Sequence, residues 1–430
     1  MKKIFFFLSL LLLSSWASAQ EKTTIRLSPE KIEALFIEQN LELIAEKMNI
    51  DIADATISQA KLWNNPELSI SDVNLWSTKN QREGEDEVIP PLFGSFAKNT
   101  EFSIELSQLI QTANKRGKLI SKEKVSKEIA IKEFEETLRG LKIELRKSIY
   151  EIIYLQSYLG ILTTQEESIH ELTTAYKKQV ELGNIAKTEL LRLQSLLLDI
   201  DNEINETRND LNEQQKNLKI LINANPLVDI EIESGNQQIV NPDNILLTNL
   251  LQTAIESRTD IKRQQLQTKL HEKSLAYEKA MRVPDITLSA NYDRHGGVWK
   301  NFVGFGISFE LPFLNRNQGN IKIERFSRDQ SYYLEQQQQN IAQHEVIESF
   351  NNYQQAYRFL DKINNNSLLS ELDNMLDIYT KNLLKKNISM LEYIDFMDAY
   401  KSNKQTVLTA RKKTNLLFEE LQFVTGNDIK

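Results

Sequence analysis

There is no cysteine anywhere in the 430 residues. Its absence argues against a disulfide framework, a thiolate metal site and a lipid anchor on cysteine. Glycine (13) and proline (8) are also scarce, and nearly all the prolines fall in short strand-like or loop stretches. Such a composition suits long uninterrupted helices better than a β or α/β globule. Beyond the amino terminus no stretch approaches about 18 consecutive apolar residues, which leaves no membrane helix. If the chain enters a membrane, it does so with strands. Positive charge is in the minority: 52 Lys and Arg face 60 Asp and Glu, a formal net charge of −8. That balance disfavours a nucleic-acid partner. Apolar residues make up 40% of the chain, which suits thin helical layers with much wetted surface rather than one compact core.

The first residues read as a targeting segment. Lys2 and Lys3 precede an apolar run from Ile4 to Leu13, and Ala17-Ser18-Ala19 offers a small-x-small cleavage site before Gln20. The run is too short to span a bilayer as a helix. Residues 1–19 are therefore expected to be a signal peptide, and 20–27 a short lead.

Two stretches organise the rest. In Tyr176–Glu189 (YKKQVELGNIAKTE) and Tyr379–Glu392 (YTKNLLKKNISMLE), a Tyr is followed eight residues later by Asn-Ile and then a small residue. Each interrupts a heptad-like segment with a helix–turn–helix signal: Gly183-Asn184 in one, Lys386-Asn387 with Ser389 as N-cap in the other. Both predict the tip of a helical hairpin.

Around these tips the element order is given twice. A helix from Ser28-Pro29-Glu30 to about Trp63 stops at Asn64-Asn65-Pro66. Leu68 and Ile70 alternate with Glu67, Ser69 and Ser71, and then Val73 and Leu75 fall out of phase, as at a bulge. After a polar loop, 77–98, tipped by Glu85-Asp86-Glu87, Phe102, Ile104 and Leu106 alternate with Ser103, Glu105 and Ser107. A proline-free helix follows from Thr112 to Gly183, and beyond the tip leucines and isoleucines keep a seven-residue repeat. Residues 224–243, with Pro226, Gly235 and Pro242, read as a linker or a small separate element. The second half replays this with a helix from about Asn244 to Met281, strands over Ile286–Tyr292 and Val303–Leu311, a long helix from about Gln318 to Lys385, the second tip, and a last helix ending near Val424.

The repeats are thus 20–223 and 244–430, with strand hairpins 66–109 and 284–313 and tips 182–189 and 386–392. Pro66 and Pro284 are 218 apart, whereas Phe102 and Phe305, Tyr176 and Tyr379, and Leu218 and Leu421 are each 203 apart. One longer loop in the first hairpin explains the whole difference. The chain is an internal duplication.

Four amphipathic strands cannot close a membrane barrel, which needs about eight, and an open sheet would leave unpaired edges in lipid. Either the strands form a small soluble sheet or several chains share one barrel. The alternation and the aromatics Trp76, Phe102, Tyr292, Trp299, Phe302, Phe305, Phe309 and Phe313 favour lipid on one face. The expected fold class is mainly α with a small β part: long coiled-coil helices plus four amphipathic strands per chain.

This order, given twice after a signal peptide, resembles the TolC family of outer-membrane efflux channels over nearly the whole mature chain. Asn65-Pro66-Glu67-Leu68-Ser69, and Glu101 followed by Leu106-Ser107-Gln108 and Asn114-Lys115-Arg116-Gly117, resemble its heavy-metal, CzcC-like branch. The resemblance implies a homotrimer in the outer membrane, with four strands per chain in one shared transmembrane β-barrel and the helices forming a hollow periplasmic tunnel. It implies the exit duct of a tripartite efflux system, driven by an inner-membrane RND-type transporter through a periplasmic adaptor. The expected cargo is metal cations or small toxic compounds. A type I protein secretion duct of the same family, or a soluble periplasmic coiled-coil adaptor or scaffold, is the alternative.

The resemblance also implies site residues. Leu182, Gly183, Thr188 and Glu189 of the first tip, and Lys386, Asn387, Ile388 and Ser389 of the second, would contact the adaptor; Lys386 stands where the family often has Gly. Glu392 and Asp395 match two acids that ring the closed periplasmic mouth, with Asp398 one turn further. Residues three apart share a helix face, and carboxylates gathered around a narrow pore attract cations and repel one another. A solvated face with ordinary acids is the plainer reading. No catalytic, cofactor or metal residue is assigned: His170, His271, His295 and His344 are scattered without ligand spacing, and the seven-residue spacing of Met390 and Met397 suits a helix core.

Overall fold

The computed structural model describes residues 24–74, 101–233, 239–294, 301–365 and 368–429. The expected signal peptide, Leu75, Trp76, loop 77–98, His295 and Trp299 lie outside the described residues.

The chain opens on strand β1 (Thr24–Leu27) and helix α1 (Pro29–Gln39). Ser28 caps that helix, its Oγ accepting from Lys31 N at 3.4 Å, and Pro29 suits a first-turn position whose N–H has no helical partner. The single helix expected up to Trp63 is in fact two, because the backbone turns extended at Asn40 and α2 covers Leu41–Ala60. Asn40 Oδ1 accepts from Leu43 N at 2.8 Å and so satisfies an amide at the start of α2.

Next come β2 (Glu67–Asn74), β3 (Glu101–Ile110), α3 (Lys115–Glu181), α4 (Lys187–Leu221) and β4 (Asp229–Ile232). At 67 residues, α3 extends about 100 Å at 1.5 Å per residue. Within 224–243 the described residues include a small element. β4 pairs in parallel with β1, and the buried Gln215 side chain holds Ile230 through both its N–H, at 3.1 Å, and its carbonyl.

The second half follows with α5 (Leu247–Ser257), α6 (Thr259–Met281), β5 (Ile286–Arg294), β6 (Phe302–Phe309), α7 (Gln318–Asn364), α8 (Leu368–Leu384) and α9 (Met390–Thr425). Two expectations are corrected here. The helix from Asn244 to Met281 breaks at Arg258, 218 positions after Asn40. The helix expected from Gln318 to Lys385 ends at Asn364 and resumes at Leu368. Asparagine is a weak helix former because its side chain competes for the backbone, and three occur in a row at 364–366.

The duplication is written in the backbone. Asn114 and Asn317 have φ of 54° and 55°, Gly183 and Lys386 of 75° and 59°, and Asn223 and Gly426 of 49° and 92°. Every pair is 203 residues apart, and each marks the start or end of a helix. Such positive φ is uncommon outside glycine and asparagine.

Contacts divide the chain into two compact units that cut across the repeats. One takes in the described residues up to Glu46, Glu135–Arg258 and those from Ile341 onward; the other takes in Lys47–Phe134 and Thr259–Asn340. The second unit holds an antiparallel sheet in the order β2-β3-β5-β6. Its register aligns Leu68, Leu106, Ala290 and Phe305 on one rung and Ile70, Ile104, Tyr292 and Val303 on the next but one. Between them lie Ser69, Glu105, Asn291 and Gly304. One face is therefore apolar and the other polar, as period two requires. The apolar face is open, with Phe305 87% and Ile307 71% exposed. On the polar face a Cβ at Gly304 or Gly306 would collide with the side chains of Asn291 and Ser289. The expected bulge is present: register shifts between Ser71 and Asn74, with Asp72 at φ 54°.

Candidate functional site

Both expected tips belong to the first unit, and they are built alike. At the end of α3, Asn184 N donates to Gln179 O at 2.9 Å and Gly183 N to Val180 O at 3.0 Å; at the end of α8, Asn387 N donates to Asn382 O at 2.9 Å and Lys386 N to Leu383 O at 3.0 Å. This paired closure consumes helix-terminal carbonyls around a left-handed residue. Side chains repeat it: Asn184 Nδ2 donates to Gln179 Oε1 at 2.9 Å, and Asn387 Nδ2 to Asn382 Oδ1 at 3.2 Å. Lys386 thus adopts the conformation of Gly183 despite its side chain. It also joins the two tips, its Nζ donating to Asn184 O at 3.1 Å.

The helices leaving the tips differ. Ser389 caps α9 in a reciprocal arrangement: Glu392 N donates to Ser389 Oγ at 3.2 Å, and Ser389 N donates to Glu392 Oε2 at 2.7 Å. The pattern Ser-x-x-Glu carries this in the sequence. At the equivalent place in α4, Ala186 precedes Lys187 and has no hydroxyl to offer, although Glu189 stands where Glu392 does. Sequence reasoning read Glu392 as a gate acid and missed its structural bond. That bond, from the Ser389 backbone N–H and then its hydroxyl, holds the Glu392 carboxyl below the usual carboxylate range. Glu392, Asp395 and Asp398 are all exposed, while Tyr393, Met397 and Tyr400 on the opposite side are buried.

Beneath the tips the four helices close on an apolar core that includes Leu172, Tyr176, Leu193, Tyr393, Met390 and Met397. Both methionines are core residues. Tyr176 and Tyr379, the marker tyrosines, differ in use. Tyr176 is buried, and burial and then the Glu189 charge push its hydroxyl up to about 12. Tyr379 stacks on Phe396 with ring centroids 4.1 Å apart.

Further along, α9 is tied to each neighbour by ion pairs that sequence reasoning did not foresee, because their members lie far apart in the chain. Lys401 Nζ contacts Glu203 Oε2 at 2.8 Å on α4, Lys404 contacts Asp373 at 2.6 Å on α8, and Lys412 contacts Glu151 at 2.9 Å on α3. Tyr158 donates to the other oxygen of Glu203. Burial opposes the Glu203 charge, but the Lys401 and Tyr158 hydrogen bonds outweigh it and keep its pKa low. Arg146 is shared by Glu33 at 2.6 Å and Glu419 at 2.5 Å. In the second unit His271 Nδ1 lies 3.0 Å from Glu324.

Comparison with known proteins follows the same line. The family model described as outer membrane efflux protein matches residues 34–224 and 250–374. The cobalt-zinc-cadmium resistance protein CzcC of Cupriavidus metallidurans is 22% identical over 303 residues, covering 69% of this chain and 66%, just under two thirds, of that protein. Among solved structures, the Campylobacter jejuni CmeC outer membrane channel superposes with a TM-score of 0.75 at 13% identity, covering 96% of this chain and 91% of that one. CusC, whose structures concern folding and transmembrane channel formation, superposes with a TM-score of 0.70 at 16% identity over 94% of both chains. At such identities the likeness concerns the fold.

Proposed function

This chain belongs to the outer membrane efflux protein family, and from that premise we propose that it is the exit duct of a tripartite efflux system whose cargo is metal cations. The family consists of outer-membrane transport channels. The observation that carries the finer reading is the four-stranded sheet. Its apolar face is exposed, and among the described residues its outer strands, β2 and β6, pair on one side only. Unpaired edges are prohibitive in lipid, and four strands are half of the smallest closed barrel. Three copies joined β6 to β2 would give a closed barrel of three times four strands. The helices would then line the periplasmic passage, with the tips meeting an adaptor and an inner-membrane RND-type transporter supplying the energy.

Charge supports cations as cargo. The described polar face of the sheet carries Glu67, Glu105 and Asp293 and neither Lys nor Arg. In three copies Glu392, Asp395 and Asp398 would add carboxylates at the periplasmic mouth. CzcC, the relative named for cobalt, zinc and cadmium resistance, points to the same class of cargo.

The test is conductance of the purified protein in planar bilayers across a KCl gradient. Cation-selective openings are expected. Anion-selective channels would keep the duct and remove cations as its cargo. Protein that stays soluble without detergent and forms no channel would turn the reading to a periplasmic coiled-coil scaffold.

A further inference from the structure

We propose that the helix-bearing rim of the four-stranded sheet binds anionic phospholipid headgroups, gripped by Arg116 beside Trp63 and by Arg316 beside Phe313 and Leu314; the proposal rests on the duct reading above and specifies the lipid that surrounds its barrel.

Strand length sets the depth of this rim. β3 has ten residues and so extends about 33 Å. Tilted by about 40°, it rises about 25 Å, the height of the apolar band of a membrane barrel. Ile110, Ile286 and Phe309 stand on one rung at its end, so the residues just beyond them fall at headgroup depth. Two apolar groups lie there. Leu62 and Trp63, ahead of β2, are each 61% exposed, and Phe313 and Leu314, beyond β6, are 70% and 93% exposed. Each group is held by an arginine. The Arg116 guanidinium lies 3.9 Å from the centre of the Trp63 ring and donates to Lys61 O at 3.3 Å. A tight turn, with Phe313 N donating to Leu311 O at 2.9 Å, presents Phe313 and Leu314, and Arg316 Nε donates back to Phe313 O at 3.3 Å. An aromatic ring with a cation beside it suits a membrane–water boundary, where one side is apolar and the other wet.

Charge selects the headgroup. The seven residues beyond each strand end, 60–66, 111–117, 279–285 and 310–316, hold six Lys and Arg against two acids, a net charge of +4 on a chain whose total is −8. One of those acids is already engaged, since Asp285 accepts from the buried Lys115 at 2.7 Å. Arg116 and Arg316 bond only to carbonyls, and with Arg282 they meet no carboxylate among the described residues. Further from the sheet, Lys127 and Lys269 do find partners, Asp54 at 2.6 Å and Glu128 at 2.8 Å. A guanidinium presents paired N–H donors that match a phosphate, and each one near an anionic surface adds to the attraction. A zwitterionic headgroup carries its own cation beside the phosphate, which the same arginines repel.

Dioleoyl phosphatidylglycerol and dioleoyl phosphatidylcholine, alike in their chains, provide the probes. Each is titrated onto the full-length protein in detergent and its binding read by native mass spectrometry. Tighter binding of phosphatidylglycerol is expected. In Arg116→Gln/Arg316→Gln its affinity should fall roughly thirtyfold. Lys127→Gln/Lys269→Gln, an equal change of charge further from the sheet, should bind it as the wild type does. Oligomer mass and helix content show whether each variant is folded. Equal affinity of the wild type for the two lipids, an unchanged phosphatidylglycerol affinity in the arginine variant, or an equal loss in the lysine variant would overturn the proposal. Dissociation of the arginine variant alone into single chains would also overturn it, assigning the rim to a contact between copies. Failure of the duct reading shows separately, as absence of channels from the wild-type protein in bilayers.

Discussion

Asn40, at the break between α1 and α2, donates from Nδ2 to the backbone carbonyl of Leu221 at 2.8 Å. In the second repeat Arg258, at the break between α5 and α6, donates from Nη1 to the carbonyl of Val424 at 3.1 Å. Two different side chains thus reach corresponding carbonyls at the ends of α4 and α9. Those carbonyls are among the last of their helices and have no partner further along the chain. The breaks in the first helices of each repeat therefore serve the ends of the last ones.

Replacing Asn40 with Ala removes both of its bonds. Loss of the α2 cap costs about 1 kcal/mol, and a buried carbonyl left unpaired costs about 1–3 kcal/mol. The variant is expected to unfold about 2–4 kcal/mol more easily, read from denaturant midpoints in detergent. An unchanged midpoint would mean that water or a neighbour takes over both bonds.

At the first tip, Ala186→Ser should create the reciprocal cap that Ser389 and Glu392 already form, because Glu189 stands ready three residues on. A gain of about 1 kcal/mol is expected. Hydrogen exchange of the first amides of α4 should slow; exchange as fast as in wild type would show that Glu189 stays committed elsewhere.

Lys386→Gly separates two effects. Removing the side chain from a left-handed conformation relieves about 1 kcal/mol, so amides near Leu384 should become better protected. The same change removes the bond to Asn184, so the first tip should exchange faster. Slower exchange at both tips would show that the Lys386 bond contributes nothing to holding them together.

The α9 cap should depend on pH. A carboxyl whose folded pKa lies below its unfolded value adds stability above the unfolded pKa, about 4.3 for Glu, and loses it as pH falls through the folded one. Glu392 is such a group. Amides of the first turn of α9 should lose protection as pH drops below about 4. In Glu392→Gln this acid response should vanish; a persisting response would assign it to another group.

If the acids line a pore, they should not contribute equally. The Glu392 carboxylate is turned back onto Ser389, whereas Asp395 is exposed without that bond. Asp395→Asn is expected to lower cation selectivity in bilayers more than Glu392→Gln does. Reversal potentials decide it, and the opposite ranking would place the Glu392 charge toward the ions.

Much of this was legible in the sequence, for identifiable reasons. Period-two alternation specified the alternating faces of the sheet, and the 203-residue offset read from Tyr176/Tyr379 and Leu218/Leu421 is the one that relates the left-handed pairs Gly183/Lys386, Asn114/Asn317 and Asn223/Gly426 in the backbone. Ser389 was readable as a cap, whereas the reciprocal bond of Glu392, three residues on, was not drawn from the same pattern. What could not be read depends on partners far along the chain. The break at Asn40 answers a carbonyl 181 residues away, and β1 finds β4 at a distance of 205. Such pairings leave no local pattern. The interruption after Asn364 did leave one, in three consecutive asparagines, which the long helical reading of that region overrode.

The difference between Gly183 and Lys386 reaches beyond the local turn. Backbone geometry at the tips repeats twice per chain, so a ring of three chains would have sixfold pseudosymmetry in shape. Side chains do not follow, since Leu182 is replaced by Lys385 and Lys187 by Met390 between the repeats. The chemical symmetry of such a ring is threefold. A partner with six identical contacts would meet two kinds of site in alternation, and only every second position could bind it in the same way.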